Sequence, residues 1–146
     1  MYSLFLVTHS IVRYFVLLLL IIVIVRSCIG WIKQSPYNKL DNQLSLSLFI
    51  FTHSQLLLGL LLFLVSPLVV FSGASMKDPA TRYWLVEHNT GMIIAIVLIT
   101  IARISSKKMV DGVAKHRRMF IFNFTALAII LLIIGYSKRG FFGISQ

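Results

Sequence analysis

The sequence predicts an all-α integral membrane protein, an up-down-up-down four-helix bundle formed by a single domain over residues 1–146. Three observations lead there. Of the 146 residues, 58% are hydrophobic and the mean hydropathy is +0.91, well above the range of water-soluble domains. The apolar residues gather in four stretches of about twenty, the length that crosses a bilayer. The connections between them are too short to hold another domain, so successive helices pack antiparallel.

The first helix is expected over residues 3–25, with the apolar run Tyr14–Val25 as its inner half. A signal peptide would need a basic lead and a small-residue cleavage site; the stretch has neither and carries Arg13 inside its apolar part. The second helix is expected over 44–71, with Asp41 ahead of it as N-cap. The third should span 82–104 and the fourth 113–136, its apolar body running from Met119 to Ile134. Pro36, Pro79 and Gly112 suit turns in the connections 26–43, 72–81 and 105–115.

Charge gives an orientation. The net charge of +10 does not form a solvated basic face, which argues against a nucleic-acid partner. Arg26, Lys33, Lys39, Arg103, Lys107, Lys108, Lys115, Arg117 and Arg118 collect at one end, against Lys77, Arg82, Lys138 and Arg139 at the other. The positive-inside rule then places both termini on the non-cytoplasmic side of the membrane, with lipid as the surrounding partner. Trp31, Tyr83, Trp84 and Tyr136 fall at expected helix ends, where aromatic belts form. The single Cys28 excludes an internal disulfide, and the lack of a C-x-x-C-H motif excludes covalent haem attachment.

Each expected helix carries one histidine: His9, His53, His88 and His116. An ionisable side chain in the hydrocarbon is costly and marks a candidate functional site. Counted from the outer helix ends, His9 and His88 each lie about 9 Å deep, while His53 lies about 27 Å and His116 about 30 Å deep. Helices one and three form one diagonal of such a bundle, two and four the other, so each pair faces across the axis. Two levels of two imidazoles are the axial ligand set of two b-type haems, an outer one at His9 and His88 and an inner one at His53 and His116. Zinc or copper would be underliganded, since Glu87 is the only acid in a spanning segment.

Several neighbours have two readings. Arg13, one turn from His9, would meet either a haem propionate or Glu87. Glu87 would pair with Arg13 or relay protons from a quinol. Gly91 would admit a porphyrin edge or serve helix contact, and Asn123 would hydrogen-bond inward from the His116 face or join helices. Arg117 would meet an inner propionate or anchor the chain, and Gln55 would bind a quinone head group or pack between helices.

The segments Thr8-His9-Ser10-x-x-Arg13-Tyr14, Phe51-Thr52-His53-Ser54-Gln55-Leu56-Leu57-Leu58-Gly59, Val86-Glu87-His88 through Met92, and Lys115-His116-Arg117-Arg118 resemble the small four-helix bacterial membrane proteins called cytochrome b. The resemblance covers nearly the whole chain. It implies haem b on the four histidines and membrane electron transfer, but no particular donor or acceptor. Together these readings predict a di-haem electron carrier linking a quinol pool to a membrane or peripheral redox partner. The alternatives are a haem-free structural subunit and a single-haem quinone-binding anchor.

Overall fold

The computed structural model describes residues 2–65, 77–78 and 82–136, with the side chains of Trp84, Leu85 and Tyr136 left out. The described residues form α1 (Tyr2–Lys33), α2 (Lys39–Val65), a π-helical turn (Tyr83–Glu87) leading directly into α3 (His88–Lys107), and α4 (Gly112–Tyr136). They contain no strand, and four helices are long and apolar enough to cross a membrane. The expected tail of the second helix, 66–71, and the Pro79 turn lie outside the described residues.

Around the bundle α1 packs on α2 and α4, and α3 packs on α4; α2 and α3 touch less closely. The diagonals are therefore α1 with α3 and α2 with α4. The α1–α2 pair runs antiparallel, since Phe15 stacks on Phe51 and Arg26 reaches Asp41.

The helices extend further into the first connection than the sequence suggested. α1 does not stop at residue 25 but continues through the basic stretch to Lys33. It ends in a Schellman motif: Gln34 adopts φ 54°, Ser35 N–H bonds Gly30 O at 2.9 Å, and Gln34 N–H bonds Trp31 O at 3.4 Å. Pro36 follows and cannot continue the helix. α2 then starts at Lys39 rather than 44, with Asn38 as its cap. Asp41 N–H donates to Asn38 Oδ1 and Asn38 N–H donates to Asp41 Oδ2, both at 3.1 Å. This is a reciprocal capping box, so Asp41 is its inner member rather than the N-cap. Asp111 caps α4 by accepting the Val113 N–H at 3.2 Å.

Each helix turns one face inward. On α4 it is His116, Met119, Asn123, Ala126, Ile130 and Ile134, a near-heptad spacing. On α3 it is Gly91, Ala95, Ile99, Ala102 and Ser106, small residues that let α4 come close. On α2 it is Asp41, Ser45, Leu48 and Thr52, more polar than the rest of that helix. Elsewhere the surface is leucine, isoleucine and valine, as lipid demands.

Asp41 closes the α2 cap and pairs with Arg26 at 2.8 Å. Asp41→Ala should lower stability by about 1 kcal/mol through the lost cap, with the partly exposed Arg26 adding less. Thermal unfolding in detergent, followed by circular dichroism, checks this; an unchanged midpoint would mean that the cap contributes nothing.

Candidate functional site

Near the end of the bundle where α1 begins, His9 lies seven residues into α1 and His88 five residues beyond Tyr83. At a helical rise of 1.5 Å these are depths of about 11 Å and 8 Å, one level. The two helices are diagonal, and His88 lies within electrostatic reach of both His9 and Arg13. His9 and Arg13 of α1 thus share one end of the bundle, and nearly one depth, with His88 of the diagonal helix.

Local structure fixes both imidazoles. The Gln55 amide of α2 donates to His9 O at 3.0 Å, and the same nitrogen stands 3.4 Å from His9 Nε2. A Cβ at Gly59 would sit 3.4 Å from His9 Cε1, an ordinary van der Waals contact, so α2 packs directly on the ring here. His88 directly follows the π-helical turn, a feature that often accompanies functional sites. Within that turn Tyr83 is buried, and its hydroxyl donates to Ile133 O at 3.1 Å. The same Tyr83 oxygen stands 3.4 Å from His88 Nδ1, and with its proton given to Ile133 O it can accept an Nδ1–H there. Sequence placed Tyr83 in an aromatic belt; the extra residue of the π turn rotates it inward instead.

Buried polar atoms without a hydrogen-bond partner among the described residues include His9 Nδ1, Ser10 Oγ, Thr52 Oγ1, Gln55 Oε1 and Glu87 Oε2, on the segments that carry this level, and His116 Nδ1 and Asn123 Oδ1 on α4. Such atoms are rare in native interiors, and each calls for an explanation such as water, an ion or a ligand. Thr52 and Ser10 carried no signal in the sequence beyond lying beside a histidine.

The other two histidines occupy different depths. The His116 ring, 2% exposed, packs 5.1 Å from the ring of Tyr37, two residues ahead of α2, and its Nε2 lies 3.3 Å from Pro36 O. A Cβ on Gly30 would come within 2.5 Å of that nitrogen. His53 lies fourteen positions beyond the start of α2 at Lys39, about 21 Å along the helix. Pairing of α1 with α2 sets it level with Arg13 rather than with His116. It bonds back to Phe49 O at 2.9 Å and leans on the Phe49 ring. The depth count had matched His53 with His116 because it measured each from its own helix's expected outer end rather than from the register of α2 on α1. The structure does not bring these two residues together.

The neighbours resolve as follows. Glu87 pairs with Arg82 at 2.7 Å, where the sequence suggested Arg13. Arg13 reaches the Tyr14 hydroxyl at 3.4 Å, its guanidinium 5.1 Å from that ring. Gly91 faces Ile133, whose side chain would collide with any Cβ there, so it serves the α3–α4 contact. Asn123 is fully buried on the His116 face of α4, and its amide donates to Met119 O at 2.9 Å within its own helix. Arg117 is exposed, as an anchoring cation would be. Gln55 is engaged with His9. No group of three or more His, Cys, Asp or Glu side chains suited to a bare metal ion occurs among the described residues. No protein-family model, curated protein or solved structure matches the chain.

Because the Gly30–His116 fit leaves no room for a methyl group, Gly30→Ala should cost about 1–3 kcal/mol. In a His116→Ala background the penalty should vanish, read as melting temperatures of the four proteins in one detergent. An equal penalty in both backgrounds would mean that His116 is not what fills the space above Gly30.

Proposed function

We propose that this chain is a membrane electron-transfer protein of the cytochrome b type that holds haem b between His9 and His88. The observation that carries the reading is the placement of these two imidazoles on diagonal helices, at one depth and within electrostatic reach of one another. From the chain a bis-histidine site needs two axial nitrogens and a slot between helices for the macrocycle, while the porphyrin supplies the other four ligands. The residues present fit that group. His88 offers Nε2, with the Tyr83 oxygen placed to accept Nδ1–H as the outer partner a ligating imidazole needs. His9 is steered by Gln55 and keeps a buried nitrogen unsatisfied. When bound, the haem supplies one-electron redox chemistry with no open iron position, which suits transfer rather than oxygen activation.

The chain's own residues tune and shield. Arg13 presents a cation to the site, which favours the state with less positive charge and so raises the midpoint potential. The apolar faces of α1, α3 and α4 exclude water. A second haem between His53 and His116 loses its geometric basis, because these residues stand at separate depths; the proposal therefore holds one haem rather than two. We take the orientation to be both termini outside a bacterial inner membrane, from the concentration of Lys and Arg at the opposite end. A quinol and a redox partner would meet the protein at its faces. Glu87, with one carboxylate oxygen left over from Arg82, is the candidate for proton release from a quinol.

Haem-free helix bridging is the second reading, and the Gly30–Tyr37 packing favours it for His116. Pyridine haemochrome analysis of purified protein, expressed with ample haem, should give about one haem b per polypeptide. His9→Ala and His88→Ala should each abolish it, while His53→Ala and His116→Ala retain it. A ratio near zero in the wild type establishes the structural reading; a ratio near two, with one haem lost in His53→Ala and His116→Ala, restores the two-level scheme. Arg13→Leu should lower the midpoint potential in a redox titration, and an unmoved potential would remove Arg13 from the site.

A further inference from the structure

At the opposite, basic end of the bundle the starts of α2 and α4 and the end of α3 enclose a cavity of about 260 Å3. Its lining includes Lys39, Arg103, Lys107 and Lys115, and no carboxylate is among the lining residues described. Asp41, nearby, is taken by Arg26. The deepest of the cations is Arg103, 8% exposed. Its Nη1 donates to Ser45 Oγ at 3.1 Å and to Asn42 O at 3.5 Å. Those two neutral acceptors orient the guanidinium without balancing its charge. The described residues contain two ion pairs, Arg26–Asp41 and Arg82–Glu87, and Arg103 belongs to neither. A buried guanidinium beside three lysines, with donors of its planar fork to spare, is an arrangement that an oxyanion would stabilise.

We propose that this cavity binds the phosphate of an anionic phospholipid headgroup. Three features favour a lipid over a phosphate ion from solution. The cavity lies at the seam between α2 and α3, neighbouring helices that pack less closely than the others and so leave a lateral way in. Arg103 is four residues from the end of α3, about 6 Å along the axis, the depth of the headgroup layer. Leu46, one residue deeper than Ser45 on α2, and Ile101, two residues deeper than Arg103 on α3, are exposed apolar side chains that offer acyl chains a surface below the headgroup. Basic pockets between spanning helices are a recurrent means of holding such headgroups. The Tyr37 phenol, whose pKa burial pushes up, stays neutral at the cavity wall and donates to Asp41 O at 3.3 Å. None of this depends on haem at His9 and His88.

The test is native mass spectrometry of the full-length protein released from detergent micelles containing equal phosphatidylglycerol and phosphatidylcholine. The wild type should retain phosphatidylglycerol in preference. Lys107→Gln should reduce that preference about fivefold, the contribution of one cation at the membrane surface. Arg103→Gln should abolish it. Should Arg103→Gln fail to fold, the double variant Lys107→Gln with Lys115→Gln carries the test, with circular dichroism confirming its helices. Lys108→Gln, an exposed cation at the same end but outside the cavity, should leave the preference intact. Equal retention of the two lipids overturns the proposal. So does an equal loss in Lys108→Gln and Lys107→Gln, which would signify diffuse surface charge. Displacement of the lipid by millimolar inorganic phosphate, with no preference between phospholipids, would assign the cavity to a soluble oxyanion instead.

Discussion

Hydrocarbon offers no hydrogen bonds, so every polar group these four helices carry inward must be satisfied by the bundle or by something the bundle holds. That constraint organises the molecule. The lipid-facing surface is given over to leucine, isoleucine and valine. The polar residues Ser10, Arg13, Ser27, Asp41, Ser45, Thr52, Arg103, Ser106, His116 and Asn123 lie on faces turned toward other helices, nine of them buried and Arg13 partly so. Some close on themselves, as Asp41 does with Asn38 and Arg26. Others keep an atom without a hydrogen-bond partner among the described residues, as His9, Ser10, Thr52, His116 and Asn123 do, while Arg103 finds only neutral acceptors. The chain has been folded with two polar sites at opposite membrane faces, joined by an apolar midsection of Val16, Leu20, Ile99 and Ala126.

The two sites differ in chemistry for reasons rooted in single residues. At the end where α1 starts, imidazole nitrogens dominate, and the π-helical turn swings Tyr83 inward to within 3.4 Å of His88 Nδ1. Two imidazoles at one depth are the chemistry on which the proposed haem site rests. At the basic end ammonium and guanidinium groups dominate, and those ask for an oxyanion. Gly30 and Gly91 each let one particular neighbour approach, the ring of His116 and the side chain of Ile133, while Gly59 packs in ordinary contact with the ring of His9. Substitution at each position would therefore disturb a different contact.

Much of the fold was legible in the sequence because apolar length is a strong signal. The four spans, the antiparallel order and the diagonal pairing all follow from it. The helix ends were less legible. A basic stretch reads as a loop, yet nothing before Gln34 stops α1, and only the positive φ of that residue ends it. The outer histidine pair was visible because both residues lie near helix starts that the sequence locates well. The His53–His116 pairing failed because it depended on the far end of α2 and on helices meeting level. Tyr83 could not be found at all, since one extra residue in a turn leaves no mark in composition or periodicity. Arg103 was counted as a topological charge; its burial follows from α3 turning it onto Asn42 and Ser45 of α2, a feature of tertiary contact.

The central claim is that His9 and His88 act as one ligand pair across the bundle. Near-infrared magnetic circular dichroism of the oxidised protein, purified with its haem, reads axial ligands directly. The account predicts the charge-transfer signature of low-spin bis-imidazole coordination, unresponsive to carbon monoxide on reduction and replaced by a high-spin or empty site in His88→Ala. A low-spin bis-imidazole spectrum that survives His88→Ala unchanged would contradict it, because the second imidazole would then come from elsewhere in the chain.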